Sequence, residues 1–354
     1  MEAGIQMIIE NLANKLVEYQ VEHPFKVFAA LLALTAVIVP GATQMEIKPS
    51  TEAVLPQDDP VVESLDTLRS KFYGDTSYIV LNSGDVRNQE LMESMLRIGK
   101  RIERLENVRS VRSPATMLER RYGEIPDDRD RLESFNYRGF VSETAGTAIM
   151  AVRADTQANS DEIQKLHSQM SGIIDSAAPP AKVTLTGYNM IDLATFKVII
   201  NDFIRITAVS FLAVLGVLYA SFRDVKKIWL PLTVVMFALV WMIGLGGWLG
   251  ADLTIISMVS AAMIMGLGID FGIHVTKKYY SSERGVDGLS VTMVELSRGL
   301  LGASLTTAVG FLALLFANLT GMHSLGIFLF TGIISAYIGS VVLLPTIIYV
   351  YDAK

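Results

Sequence analysis

Cysteine is absent from all 354 residues, which excludes disulfides, thiolate metal sites and cysteine nucleophiles but leaves the compartment open. Histidine is scarce, and His23, His167, His274 and His323 have no metal-ligand spacing. There is no glycine-rich phosphate loop. There is also no basic stripe: 30 Lys and Arg stand against 36 Asp and Glu, a formal charge of -6, so nucleic acid is not an expected partner. No metal, cofactor or enzymatic chemistry is expected. Apolar residues are abundant, at 51% of the chain with a mean hydropathy of +0.40, more than an ordinary soluble domain carries.

A helix needs about 20 apolar residues to cross a bilayer core. Six runs meet that length, at 25–43, 203–220, 229–249, 253–275, 300–319 and 325–350. Arg223, Lys226 and Lys227 lie between the second and third runs, and Lys277, Lys278, Arg284 and Arg298 between the fourth and fifth. These short basic loops belong in the cytoplasm. The alternate connections, 250–252 and 320–324, hold no lysine or arginine. Together with the long segment after the first span they belong outside, and both termini in the cytoplasm. The first run also has the length of a cleaved signal peptide, with Gly41 and Ala42 after it. Against that, residues 1–24 are acidic and set Ile5, Ile8, Ile9, Leu12 and Leu16 at helical spacing. This suits a cytoplasmic interfacial helix, as does 286–296, though either segment equally suits packing on neighbouring protein.

The segment 45–201 is soluble in character and long enough for its own core. Strands are predicted at 77–81, 108–112, 147–153 and 182–186, and helices at 88–105 and 160–174, with a polar stretch around Pro126, Asp127, Asp128 and Asp130. The order βαββαβ predicts an α+β domain of the split βαβ, ferredoxin-like kind. Helices near 61–72 and 191–201 would join it to the spans.

One residue in the spans is out of place. Asp270 is an acid within the fourth run, and no lysine or arginine lies deep in any span to neutralise it. An ionised side chain in hydrocarbon is costly and low-dielectric surroundings favour its neutral form, so the acid is suited to load and release a proton. Gly266, Gly268 and Gly272 flank it, and Gly268 and Gly272 have the GxxxG spacing that admits another helix. His274, at i+4, is a candidate proton relay or an interfacial residue. In the fifth run Thr306 and Thr307 lie at comparable depth, with Gly302 and Gly310 on either side of Thr306. A hydroxyl can donate to a carboxylate and accept from a carboxylic acid. Asp270 also has a purely structural reading, hydrogen-bonded and never titrating, and the threonines one of simple helix packing.

The stretch Gly266-Leu-Gly-Ile-Asp270-Phe-Gly-Ile-His274, with Ser304-Leu-Thr306-Thr307-Ala-Val-Gly310-Phe311, resembles spans four and five of the resistance-nodulation-division (RND) superfamily. It is most similar to the hydrophobe/amphiphile exporters of prokaryotes, akin to mycobacterial large membrane proteins and hopanoid transporters, and more distantly to Patched and Niemann-Pick type sterol-sensing proteins. The layout of one span, a large domain and five further spans is similar too. The resemblance implies a multi-pass plasma-membrane protein of a prokaryote that exports lipids or other amphiphiles using the proton-motive force. It maps the coupling acid onto Asp270 and the hydroxyl pair onto Thr306 and Thr307. Many relatives have a tyrosine directly after the acid, where this chain has Phe271. Full-length members carry two such six-span units, which implies a homodimer here, with a trimer as the alternative. The rival readings are a non-transporting lipid sensor and an accessory subunit of protein export. Asn318-Leu-Thr320 matches a glycosylation sequon but abuts a span.

Overall fold

The computed structural model describes residues 2–48, 54–56, 59–62, 64, 67, 76–154, 160–282 and 285–353. It divides into two units, Met1–Gln57 with Ile199–Lys354, and Asp58–Val198. The first is helical. It contains a helix α1 (Glu2–Glu22) and six helices long and apolar enough to cross a membrane: spans one (Pro24–Gln44), two (Lys197–Phe222), three (Lys227–Trp248), four (Ser257–Ser281), five (Val286–Phe316) and six (Thr320–Tyr351). Span five begins at Val286 because the stretch 286–296 continues the span as one helix. Its Leu289 and Met293 are buried, so that stretch packs on protein.

Close backbone approach holds the bundle. Span three carries Pro231 inside its helix, and a Cβ added at Gly272 of span four would lie 2.7 Å from the Pro231 Cα. Only glycine admits that contact without moving one helix. Spans one and three meet in the same way, a Cβ on Gly41 colliding with the Gly244 carbonyl oxygen. Tryptophans pin this second seam: Trp241 Nε1 donates to Thr35 Oγ1 at 2.8 Å, and Trp248 Nε1 reaches the Ile38 carbonyl at 3.1 Å.

Helix α1 packs on the bundle through a stripe one turn apart, Ala13, Val17 and Gln20, while Leu12 is exposed. Gln20 is fully buried, and its side chain solves a problem in span six. Pro345 has no N–H to give the Val341 carbonyl four residues earlier. The helix there loosens to a π turn over Gly339–Leu343. Gln20 Nε2 donates to the Val341 oxygen at 3.0 Å and lies 3.4 Å from that of Val342. A carbonyl left bare in such surroundings costs about 1–3 kcal/mol, and a side-chain donor is one way a membrane helix accommodates proline.

At one end of the bundle a short parallel bridge joins Ile47 to Leu253. Lys48 Nζ pairs with Asp252 Oδ2 at 2.5 Å, and the Asp252 hydrogen bond holds the Lys48 ammonium above its ordinary pKa. Ser324 Oγ accepts the Asp252 N–H at 3.1 Å, tying in span six.

The second unit is a four-stranded sheet with helices on one face. The strands are β1 (Thr76–Asn82), β2 (Val108–Arg112), β3 (Thr147–Ala154) and β4 (Lys182–Gly187). They lie in the order β2-β3-β1-β4 with every neighbour antiparallel, Ile79 standing opposite Met150 on β3 and Leu185 on β4. Strict alternation sends Ile79, Leu81, Met150 and Val152 to the buried face. Helix α2 (Gln89–Ile102), capped by the Asn88 side chain on the Leu91 N–H, covers it with Leu91, Met95, Ile98 and Ile102. A later helix, Ser160–Ala177, adds Leu166, Met170 and Ile174 to the same core.

The polar stretch between β2 and β3 is more ordered than its composition predicts. It holds α3 (Pro114–Tyr122), started by a Ser113/Thr116 capping box and stopped by Gly123 at φ 86°, and α4 (Arg129–Ser134), capped by Asp128. Each is too short to show an apolar stripe, but Leu118 and Leu132 are buried in the core. The Tyr137 hydroxyl donates to the Leu132 carbonyl at 2.6 Å, and burial pushes its pKa up to about 12. The helix predicted near 61–72 falls largely outside the described residues. That near 191–201 is part of one long helix, Tyr188–Phe222.

Gly272→Ala should lower the melting temperature of the detergent-solubilised protein by the equivalent of about 1–3 kcal/mol, the usual cost of overpacking. Gly216→Ala, on an open face of span two with nothing within 4 Å, should not lower it. Equal melting of the two variants would show that the contact with Pro231 is not tight.

Candidate functional site

Span four has two faces of different use. Ile264, Met265, Gly268, Ile269, Gly272, Val275 and Thr276 are buried. Met263, Gly266, Leu267, Asp270, His274 and Lys277 form a continuous exposed stripe at helical spacing. The glycines decide which face is which. A Cβ on Gly268 would lie 3.2 Å from the Ala336 Cβ of span six, and Gly272 sits on Pro231 of span three. Two residues along a helix correspond to about 200° of rotation, so seating both glycines inward turns Asp270 outward.

Span five repeats the division. Leu300, Ser304 and Ala308 are buried, whereas Gly302, Thr306 and Gly310 are exposed and Thr307 half-buried. The Thr306 hydroxyl is committed to its own helix, donating toward the carbonyls of Gly302 at 2.9 Å and Ala303 at 3.1 Å. Among the described residues, no hydrogen bond or ion pair joins Asp270 to His274, Thr306 or Thr307.

The five glycines of the sequence pattern therefore do not act as one group. Gly268 and Gly272 pack against spans six and three of the same chain. Gly266, Gly302 and Gly310 have nothing within 4 Å. The GxxxG pair is consumed inside the bundle, and the uncovered small residues are those on the faces that carry Asp270 and Thr306. Around them stand Leu267, Leu305 and Val309, with 37%, 48% and 63% of their surfaces exposed.

The basic loops are anchored by their own contacts. Lys278 pairs with Glu295 across the turn between spans four and five, and Lys227 lies 4.4 Å from the Tyr280 ring centroid. Two buried polar groups near the bundle core carried no signal in the pattern of spans: Gln20, and Thr276, whose hydroxyl is buried without a hydrogen-bond partner among the described residues. The apolar spacing read in residues 1–24 runs through Leu12 and Leu16, whereas the buried stripe of α1 is Ala13, Val17 and Gln20, with Leu12 exposed.

Residues 53–352 match the family model described as MMPL family. A membrane protein of Methanocaldococcus jannaschii is 24% identical over 373 aligned positions, which take in 98% of this chain and 96% of that relative.

Because Asp270 has no hydrogen-bond or ion-pair partner among the described residues, Asp270→Asn should leave thermal stability within about 0.5 kcal/mol of wild type, as for other substitutions that break no contact. Thermal unfolding in detergent, followed by circular dichroism, tests this. A loss of several degrees would assign Asp270 a structural role.

Proposed function

Since the chain belongs to the MMPL family of the RND superfamily, whose members are membrane transporters, we propose that it exports lipids or other amphiphiles in exchange for protons, with Asp270 as the proton carrier. The observation that carries this reading is the position of Asp270 in span four, exposed on the same stripe as the uncovered Gly266 and without a hydrogen-bond or ion-pair partner among the described residues. An acid that stabilised the fold would be buried against a donor. One that exchanges protons must reach water or a passing carrier, and it must tolerate both charge states.

The same exposure supports a homodimer. An ionised carboxylate facing lipid costs several kcal/mol, and a second copy laid against the faces of spans four and five removes that exposure. Gly266, Gly302 and Gly310 would admit close approach there. Drive is sufficient: each proton carries about 2.3 kcal/mol per 100 mV of membrane potential and about 1.4 kcal/mol per pH unit. His274 on the stripe of Asp270 is the candidate for proton entry, with Thr306 and Thr307 as hydroxyl partners once the faces close. We read the sheet unit as ferredoxin-like, supported by its strand order β2-β3-β1-β4. Its outside placement rests on the basic residues gathered in the loops between spans two and three and between spans four and five.

In proteoliposomes, Asp270→Asn should reduce proton-gradient-dependent movement of a fluorescent lipid to background. Thr306→Val should retain part of it, since water or Thr307 can replace the hydroxyl. Wild-type, gradient-responsive transport by Asp270→Asn would refute the coupling role. The cysteine-free background tests assembly directly. Leu267→Cys, on the Asp270 stripe, should cross-link between chains in native membranes, whereas Val217→Cys on span two should not. Absence of the Leu267→Cys adduct, or equal adducts from both, would reject this dimer face.

A further inference from the structure

The outer face of the sheet, opposite its helices, has a chemistry of its own. A hollow of about 310 Å³ opens there, lined by Tyr78, Ser110, Arg112, Arg138, Phe140 and Arg153 among others. Register explains why it exists. Ala151 on β3 stands between Tyr78 of β1 and Arg112 of β2, its partners on either side. A side chain that ends at Cβ leaves the floor empty between two long neighbours. Arg153 follows two residues later on the same face and pairs across β1 with Thr76 and across β2 with Ser110.

The third arginine comes from the loop before β3. The Ile149 N–H donates to the Phe140 carbonyl at 2.9 Å, which ties that loop to the strand. Arg138 adopts the left-handed conformation, φ 49°, uncommon for residues other than glycine, asparagine and aspartate. Its N–H donates to Asn136 Oδ1 at 3.0 Å.

Among the described residues no carboxylate lines the hollow, and none of the three guanidinium groups makes an ion pair or a hydrogen bond. Another hollow on the same unit differs: there Arg87 is held by Asp85 at 3.0 Å and Arg129 by Glu133 at 2.6 Å. Three like charges lining one hollow attract an anion. Guanidinium forks match tetrahedral oxyanions, and the Tyr78 hydroxyl and Ser110 add neutral donors.

We propose that this hollow binds a phosphate group, free or as a phosphomonoester headgroup, through Arg112, Arg138 and Arg153 with Tyr78. The site is independent of Asp270 and stands whether or not that residue carries protons.

The test uses full-length protein in maltoside detergent and phosphate-free buffer, titrated calorimetrically with inorganic phosphate and with dihexanoyl phosphatidic acid below its micellar concentration. Wild type should bind, more weakly as salt rises. Arg112→Gln and Arg153→Gln should each weaken binding by about tenfold or more, the loss expected for one charge-assisted hydrogen bond. Arg120→Gln, at the exposed end of α3, should change it less than about twofold. Arg153→Lys keeps the charge but loses the fork and should fall between. Phosphatidic acid binding about tenfold tighter than phosphate identifies a lipid headgroup, and equal affinity identifies free phosphate. Absence of saturable binding by both probes overturns the proposal, as does an Arg120→Gln loss equal to that of Arg153→Gln. Circular dichroism of each variant confirms that the sheet is intact.

Discussion

Inside the apolar bundle no water is available to complete a broken backbone hydrogen bond, and the packing of the membrane unit follows from how the chain meets that constraint. Prolines at 231 and 345 each remove an N–H from a spanning helix. At Pro345 the freed Val341 carbonyl is satisfied by Gln20, brought in on a helix more than three hundred residues earlier in sequence. The buried hydroxyls of span six obey the same rule by bonding within their own helix, as Ser335 does to the Thr331 carbonyl at 2.6 Å and Thr346 to that of Val342 at 2.8 Å. Helix α1 is thereby part of the bundle, joined to it by a polar contact as well as by the buried Val17.

Tight seating on glycine has a second consequence. Spans three, four and six approach closely where side chains end at hydrogen or Cβ, at Gly272 on Pro231 and at Gly268 on Ala336. Once those contacts are made, the helical rotation of span four has no freedom left, and Asp270 faces away from the bundle with His274 and Gly266. The acid central to the proposed proton exchange is thus aimed by residues that never touch it. Its uncovered surroundings also give the proposed dimer a specific face, distinct from the GxxxG pair.

The sheet unit divides its labour between two faces in a comparable manner. Alternation along β1 and β3 commits one side to a core of Ile79, Leu81, Met150 and Val152. The other side is free to carry charge, and the smallness of Ala151 makes a hollow where the arginines gather. A flat sheet face with a single large residue at that position would leave the same charges dispersed.

Much of this was legible in the sequence. The six spans were visible because a bilayer demands a length of apolar residues that little else requires, and the order of strands and helices because periods of two and of about 3.6 are distinguishable. Asp270 was visible because an acid in such a run is rare. The two short helices after β2 were not, since six to nine residues are too few for a period and their caps alone mark them. Tertiary structure alone decided which glycines pack and which are uncovered, because a spacing of four specifies a face but not the partner that fills it. It decided that Thr306 bonds its own helix and that Gln20 serves Pro345. It also assembled three arginines from β2, β3 and a loop. These are relations between residues distant in sequence, set by which helices and strands become neighbours, and no local pattern contains them.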